Sequence, residues 1–594
     1  MSADLLQRAV AAHREGRLQE AEALYRAALA VSPEQPDAIA LLGVLCGAKG
    51  ATEEALRLAE RAVVLDPSAA LFHFYLGNAA QAAGALERAV VSFREALSRD
   101  PRMAEAWYNL GNALSLQKKW DEAEKAYASC LSLAPAHLWA RNNRALLFEK
   151  QKRLESALAA FKTLVAEAPA FAEAWKNLSN VAEQSGAYGL AEEAGRRAAS
   201  LAPEDAACWF GLGVALSRLE QHAEAADVYE KALALGSDWA LWDNLGQTLQ
   251  YLDRFDEADA AYRKMIALEG QTLADAEIPI CDEAKIGSRH WHLALLELLR
   301  GDLLHGFARY RARVNAIPAL KRPPWKSPLW KGEDLSGKTI LVYDEQGFGD
   351  SLMMARYLPL LKARGARVFF LAQKPLVPYL KQCAFIDRLI TRDEPFDPAF
   401  DCYASLFDLP YLFKTELATI PAEIPYLPVP DAPPHADFRV GVVWAGTPKH
   451  KHDARRSLPL AVFADLFSVP GISFISLNRD KRDGDDALLA KRQIADLAPA
   501  LSDFAALAEK IAEMDLIVSC DTATAHLAGA MGKEVWVLLP FIPDWRWLLR
   551  RADSPWYPTA RLFRQEKAGD WTGVLEQVKA ALEERKRKQP RACA

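Results

Sequence analysis

The residues best suited to chemistry cluster in Val518-Ser-Cys-Asp-Thr-Ala-Thr-Ala-His-Leu-Ala-Gly-Ala-Met-Gly532. The run 515–519 is apolar and β-branched, the pattern of a buried parallel strand. Residues 523–531 are small helix formers, and Gly532 stands where a helix stops. Asp521 and Thr522 therefore fall at a strand-to-helix turn. Free backbone N–H groups and the helix dipole favour an anion there, such as a phosphate. Asp521 or Thr522 can cap the helix, and Thr522 and Thr524 add hydroxyl donors. Ala523 shares that first turn. His526, one turn further in, either meets the ligand or bonds locally. The plain alternative is an ordinary α/β turn whose Asp only caps.

Three other strand ends carry comparable residue types. Thr339-Ile-Leu-Val-Tyr343 reads as a buried strand, Asp344-Glu-Gln-Gly-Phe-Gly-Asp350 as a glycine-bearing turn, and 351–363 as a helix. This βαβ opening fits a doubly wound domain. Gly347 and Gly349 alone do not make a dinucleotide site, because the third glycine of that fingerprint is missing. Asp350 and Glu345 are rival carboxylates on this turn, and Asp350 can equally serve as a helix cap. The strand at 439–446 carries Trp444 and Gly446 at its end, and Thr447 comes next. A basic loop follows with Lys449, Lys451, Arg455 and Arg456, at a strand end where doubly wound domains bind ligands. Trp545, Arg546 and Trp547 follow another strand end. They either meet a base and its phosphate or pack the domain.

Asp-Thr-x-x-x-His-Leu-Ala-Gly-Ala-Met-Gly, then an apolar strand and Pro540, resembles the donor signature of glycosyltransferase family 9, which includes the bacterial heptosyltransferases. Gly349-Asp350 followed by a helix carrying Leu358-Pro359 resembles that family's first-lobe motif. The resemblance covers roughly 338–565. It implies a GT-B fold of two doubly wound α/β lobes and an activated-sugar donor whose phosphate docks on the 522–526 helix turn. Asp350, or its rival Glu345, is then the base that takes the acceptor hydroxyl proton. The basic residue three positions before Pro459, which contacts donor phosphate in the family, maps to Arg456. That family commonly has Lys there, and Arg offers a bidentate clamp. The implied donor site comprises Gly349, Trp444, Gly446, Thr447, Arg456, Asp521, Thr522, Ala523, Thr524, His526 and Arg546. No cofactor and no metal are expected, since helix dipole and cationic side chains stabilise the leaving phosphate.

The elements that position these residues begin only after residue 336. Prolines at 33, 67, 101, 135, 169 and 203 recur every 34 residues. Small residues keep the register at Gly43, Gly77, Gly111, Ala145, Ser179 and Gly213, and an aromatic column runs through Tyr25, Phe93, Tyr127, Phe161, Tyr229 and Tyr262. This is the tetratricopeptide pattern. Each unit is a helix pair whose small residues permit close approach while large ones fill the seam. Asn109, Asn143, Asn177 and Asn244 form a column that either hydrogen-bonds an extended peptide or simply suits a solvated groove.

The expected layout is repeats over 1–272, a degenerate helical repeat and Pro-rich linker over 273–336, a first lobe over 337–430 and a second over 431–594. Trp325 and Trp330 are placed to pin the linker, and a final helix, 571–586, is expected to cross back onto the first lobe. With 72 basic against 78 acidic residues in 594, nucleic-acid binding and general anionic-membrane binding are disfavoured. Eight scattered cysteines, no signal-peptide pattern and no spanning apolar run point to the cytoplasm.

An Asn-laddered repeat array joined to GT-B lobes resembles eukaryotic O-GlcNAc transferase. The whole chain resembles bacterial repeat-bearing glycosyltransferases that modify flagellin with a pseudaminic-type nonulosonic acid from a CMP-sugar. The expected partners are therefore a nucleotide-sugar donor and an acceptor protein such as flagellin, with no membrane insertion. The alternatives are a lipopolysaccharide or other glycan transferase, and a non-enzymatic adaptor or chaperone.

Overall fold

Glycine and aromatic columns explain the helix pairs. A Cβ on Gly111 would sit 2.6 Å from the Tyr127 ring, and one on Gly213 would sit 2.5 Å from Tyr229. The ring of each second helix therefore lies flat on the backbone of the first. The 34-residue prolines follow the second helices: Pro33 comes just after Leu18–Val31 ends at its C-cap Ser32. Indole N–H groups of Trp107, Trp175 and Trp209 donate to the carbonyls of Pro101, Pro169 and Pro203 at 2.8–3.0 Å, tying each first helix to its inter-repeat turn. The computed structural model describes residues 2–268, 289–393, 399–449 and 453–587. Lys451 of the basic loop and the segment 269–288 lie outside them.

The chain divides into two units, Met1–Ser237 and Asp238–Ala594. The last repeat pair, Trp239–Tyr251 and Phe255–Ala267, belongs to the second unit. A shorter hairpin follows, His290–Arg300 and Leu303–Tyr310, turned by Gly301 in a left-handed conformation at φ 89°. The first helix of this hairpin packs on the last repeat's second helix. Among the described residues, no helix is long and apolar enough to cross a membrane.

Two parallel sheets form the rest. The first lobe holds β1 (Thr339–Tyr343), β2 (Arg367–Ala372), β3 (Arg388–Thr391) and β4 (Cys402–Ser405), in the order β3-β2-β1-β4. The second holds β5 (Arg439–Val443), β6 (Ser473–Ser476), β7 (Ala495–Asp496), β8 (Leu516–Cys520), β9 (Val535–Leu539) and β10 (Ala560–Arg564). Their order is β10-β9-β8-β5-β6-β7. The chain reverses direction across each sheet beside β1 and between β5 and β8. Crevices open at the carboxyl ends of strands where such reversals occur. The turns after β1, β5 and β8 are among those that the sequence singles out.

The Pro-rich linker is held as expected. Trp330 N–H donates to the Tyr403 carbonyl at 2.7 Å and Tyr403 N–H to the Pro328 carbonyl at 3.0 Å, so the linker extends the edge at β4. Trp325 meets Tyr403 edge-on at 5.1 Å.

Two expectations are corrected. The helix after β1 is not one piece over 351–363. It starts as Phe348–Met354, tightens over Ala355–Tyr357 and resumes as Leu358–Ala363, because Pro359 has no N–H to donate. The final helix, Trp571–Arg587, does not cross back to the first lobe. Its stripe Trp571, Val574, Leu575, Val578 and Leu582 matches the apolar face of the second sheet and is buried there with Val440, Phe463 and Trp536. One contact between the lobes comes instead from the loop before β10, where Arg356 of the first lobe donates to the Trp556 carbonyl at 2.6 Å.

Candidate functional site

The turns after β1, β5 and β8 face one cleft of about 1400 Å³ within the second unit. Its lining includes Glu345, Gly349 and Asp350 from the first lobe. The second lobe contributes Gly446, Thr447, Arg456, Asp521 to Thr524, His526 and Arg546.

On the β8 side, helix Ala523–Ala530 starts at Thr522. Thr522 does not cap with its side chain; its hydroxyl pairs with that of Ser519 at 2.9 Å. The first-turn N–H groups at Ala523 and Thr524 have no carbonyl four residues back within the helix. Arg456 donates from Nη1 to the Asp521 carbonyl at 3.1 Å and lies 3.6 Å from Asp453. A Cβ on Gly446 would sit 2.7 Å from Arg456 Nη2, so glycine there makes room for the guanidinium. Burial works against charge on Asp521, but His526 and Arg456 outweigh it and hold its carboxyl below the usual range. A helix N-terminus beside an arginine is an arrangement that binds an anion.

His526 is engaged within the protein. Its Nδ1 lies 3.0 Å from the Tyr557 hydroxyl, its Nε2 lies 3.7 Å from Asp521, and its ring stacks on Trp547 at 5.1 Å. Of the two alternatives, local bonding is the geometry found.

On the β1 side, Asp350 is the third residue of helix Phe348–Met354, and its Oδ2 accepts from the Gly347 N–H at 2.9 Å. It caps from inside the helix and does not occupy the N-cap. Its Oδ1 pairs with Arg546 Nη2 at 2.5 Å, and Asp544 takes Nη1 of the same arginine at 2.6 Å. Arg546 therefore bridges to Asp350 across the lobes while it still lines the cleft. Trp545 and Trp547 pack; both are buried. A Cβ on Gly349 would meet His526 Cδ2 at 2.7 Å and Ala523 Cα at 3.3 Å. Glycine is needed there because the helices of the two lobes touch at that point.

Glu345 is held differently. Its Oε1 accepts from Arg313 Nε at 2.7 Å and from Ser405 Oγ at 2.5 Å, and its side chain is 5% exposed. Arg313, fully buried, also reaches Asp408 at 2.9 Å. Glu345 is a structural anion for Arg313, whereas Asp350, 19% exposed, is the accessible carboxylate.

Trp444 leaves the predicted set. It is fully buried in the second-lobe core, with its indole N–H on Asp485 at 3.0 Å, because an apolar strand end continues inward. In the basic loop, Lys449 is exposed, and Arg455 stacks over Tyr251 of the last repeat at 4.5 Å.

The asparagine column is hydrogen-bonded within the array. Asn109 donates to Asn78 at 2.8 Å, Asn143 to Asn112 at 2.9 Å, and the buried Asn177 to Asn142 at 2.9 Å. Asn244 donates to its own Ala240 carbonyl at 2.9 Å. The first three join successive repeats, and burial removes Asn177 from any open groove face. Sequence spacing missed Tyr310, whose hydroxyl bonds Gln346, and the cleft wall carried by the last repeat. These partners are 36 residues or more from the turns they meet, and no local pattern marks them.

The molecule is thus a tetratricopeptide-repeat protein with an α/β region of two parallel-sheet lobes. Tetratricopeptide-repeat signatures match residues 12–73, 104–137, 142–206, 206–239 and 240–272. The chain is similar to Protein FlbA of Caulobacter vibrioides, with 28% identity over 339 residues. That match covers 49% of this chain and 55% of the relative, so the chain spans about half the relative's length. Among solved structures, a tetratricopeptide repeat protein from Parabacteroides merdae is 18% identical, over 42% of this chain and 98% of that one, with a TM-score of 0.36. YrrB, described as having an unusual peptide-binding site, is 20% identical over 31% of this chain and 94% of its own, with a TM-score of 0.27.

Proposed function

We propose that the second unit is a GT-B glycosyltransferase and that the repeats capture its protein acceptor. The reading rests on one observation: a single cleft gathers the Asp350 turn, Arg456 and the Thr522–Thr524 helix start. The donor is a nucleotide sugar, and the resemblance to flagellin-modifying transferases names a CMP-activated nonulosonic acid. The acceptor is a Ser or Thr hydroxyl of a protein such as flagellin. The hydroxyl oxygen bonds to the anomeric carbon as the bond from that carbon to the phosphate oxygen breaks. The electron pair leaves with the phosphate, whose charge meets Arg456 and the helix N-terminus. The hydroxyl proton passes to Asp350.

The test is to incubate the purified protein with flagellin and a panel of CMP-, UDP-, GDP- and ADP-sugars and read acceptor mass. A mass gain of one sugar residue with one donor supports the reading. A gain only on glycan acceptors turns it to a glycan transferase. Nucleotide binding by none of the panel overturns it in favour of an adaptor.

A further inference from the structure

We propose that the cleft wall formed by Trp239–Tyr251 and His290–Arg300 is the acceptor subsite, and that it takes an extended, hydroxyl-bearing polypeptide segment. The inference rests on the transferase reading and adds to it where the acceptor chain lies.

Gln247, Gln250, Trp291 and His292 line the same cleft as Asp350 and Thr522. The cleft's 1400 Å³ exceeds the roughly 300–1,000 Å³ of a site for one small ligand, which leaves room for a second chain beside a donor. The side chains of the wall hold one another in place. His292 Nδ1 lies 2.5 Å from Asp243 Oδ1, and Gln247 Nε2 donates to Asp243 Oδ2 at 3.0 Å. Gln250 Nε2 donates to the Tyr262 hydroxyl at 2.5 Å, and the Tyr262 ring stacks on His292 at 5.9 Å. Each glutamine uses one N–H in these bonds; an amide also has a second N–H and a carbonyl to offer. His292 is anchored yet 34% exposed.

The wall leads to the base. The Trp291 ring lies 5.0 Å from Tyr310, and Gln346 of the Asp350 turn donates to the Tyr310 hydroxyl at 2.9 Å. Paired amides and an aromatic face suit a peptide backbone, which offers alternating N–H and C=O groups. Trp239–Tyr251 is also the first helix of a tetratricopeptide pair, and arrays of such pairs bind extended chains on a concave surface. We therefore assign the wall to polypeptide and leave glycan as an outcome of the test.

Full-length wild type, Gln247→Ala and His292→Ala would be compared with flagellin as acceptor and the active nucleotide sugar as donor. Each substitution should raise the acceptor KM at least ten-fold, with kcat at saturating acceptor and nucleotide affinity by calorimetry within about two-fold. A photo-cross-linking residue in place of Leu295, which lines the same wall, should attach to flagellin. Unchanged acceptor KM in both variants, or no cross-link from a protein that binds nucleotide, overturns the subsite. A KM shift confined to a glycan acceptor also overturns the polypeptide assignment. Wild type that binds no nucleotide sugar defeats the transferase reading itself, a result separable from these.

Discussion

Asp350 and Glu345 sit five residues apart on one turn, and their neighbours separate their roles. Asp350→Asn keeps an acceptor for the Gly347 N–H but loses the charge facing Arg546. Turnover per folded molecule should fall about 10²–10⁴-fold, the usual contribution of a general base, beyond any stability lost with the Arg546 pair. Glu345→Gln removes the charge that Arg313 faces in a buried setting, which should cost about 1–3 kcal/mol of stability, read by denaturant titration. Activity per folded molecule should survive. If Asp350→Asn stays active while Glu345→Gln is stable and dead, the roles are exchanged. Arg456→Ala should weaken nucleotide-sugar binding by about 1.5–3 kcal/mol, or roughly 10- to 150-fold by calorimetry. Unchanged affinity would remove Arg456 from the donor site.

Two element-scale predictions rest on close packing. Gly111→Ala places a Cβ 2.6 Å from the Tyr127 ring, where a rigid seam cannot yield cheaply. Such overpacking should cost about 1–3 kcal/mol, measured by urea unfolding, and a silent substitution would show that the seam is soft. In the hairpin after the last repeat, burial and then the Arg309 charge lower the His290 pKa from 6.5 to about 4. The unfolded chain therefore takes up the proton first as pH falls. Stability is intact above about pH 6.5 and drops by about 2 kcal/mol at pH 5 and about 3 kcal/mol by pH 4. Burial raises the pKa of neighbouring Glu297, so that group acts in the opposite sense at the acid end. Comparison with His290→Gln isolates the histidine: the variant should lose less stability between pH 7 and pH 5. Equal losses would mean that His290 titrates normally.

At the scale of the whole molecule, two units carry the proposed division of labour. A fragment of residues 1–237 corresponds to one compact unit and should fold, retain flagellin on a column and bind no nucleotide sugar. A fragment that is folded by circular dichroism yet retains no acceptor, while the full chain does, would place capture entirely in the second unit.

The repeats were legible because their period is written in the chain. Pro, Gly and aromatic residues recur at fixed offsets, and each offset corresponds to one local contact, such as Gly111 on Tyr127. The central strands that lead into the site turns were legible because a strand buried on both faces must be a continuous apolar run, as Leu516–Cys520 is. The turns of interest could be found from strand ends alone. What each side chain does in those turns was decided by tertiary structure. That Arg546 pairs with Asp350 of the other lobe at 2.5 Å could not be read from the sequence, and Trp444 looks like part of a site until the core closes over it. Asn177 reads as a groove residue until Asn142 of the preceding repeat takes its amide. The final helix carries an apolar stripe but no mark of which lobe will bury it. These partners lie tens to hundreds of residues away, and hydrogen bonds and ion pairs act only over a few ångströms. Local spacing can name a group able to do chemistry; only the folded chain decides which neighbour claims it.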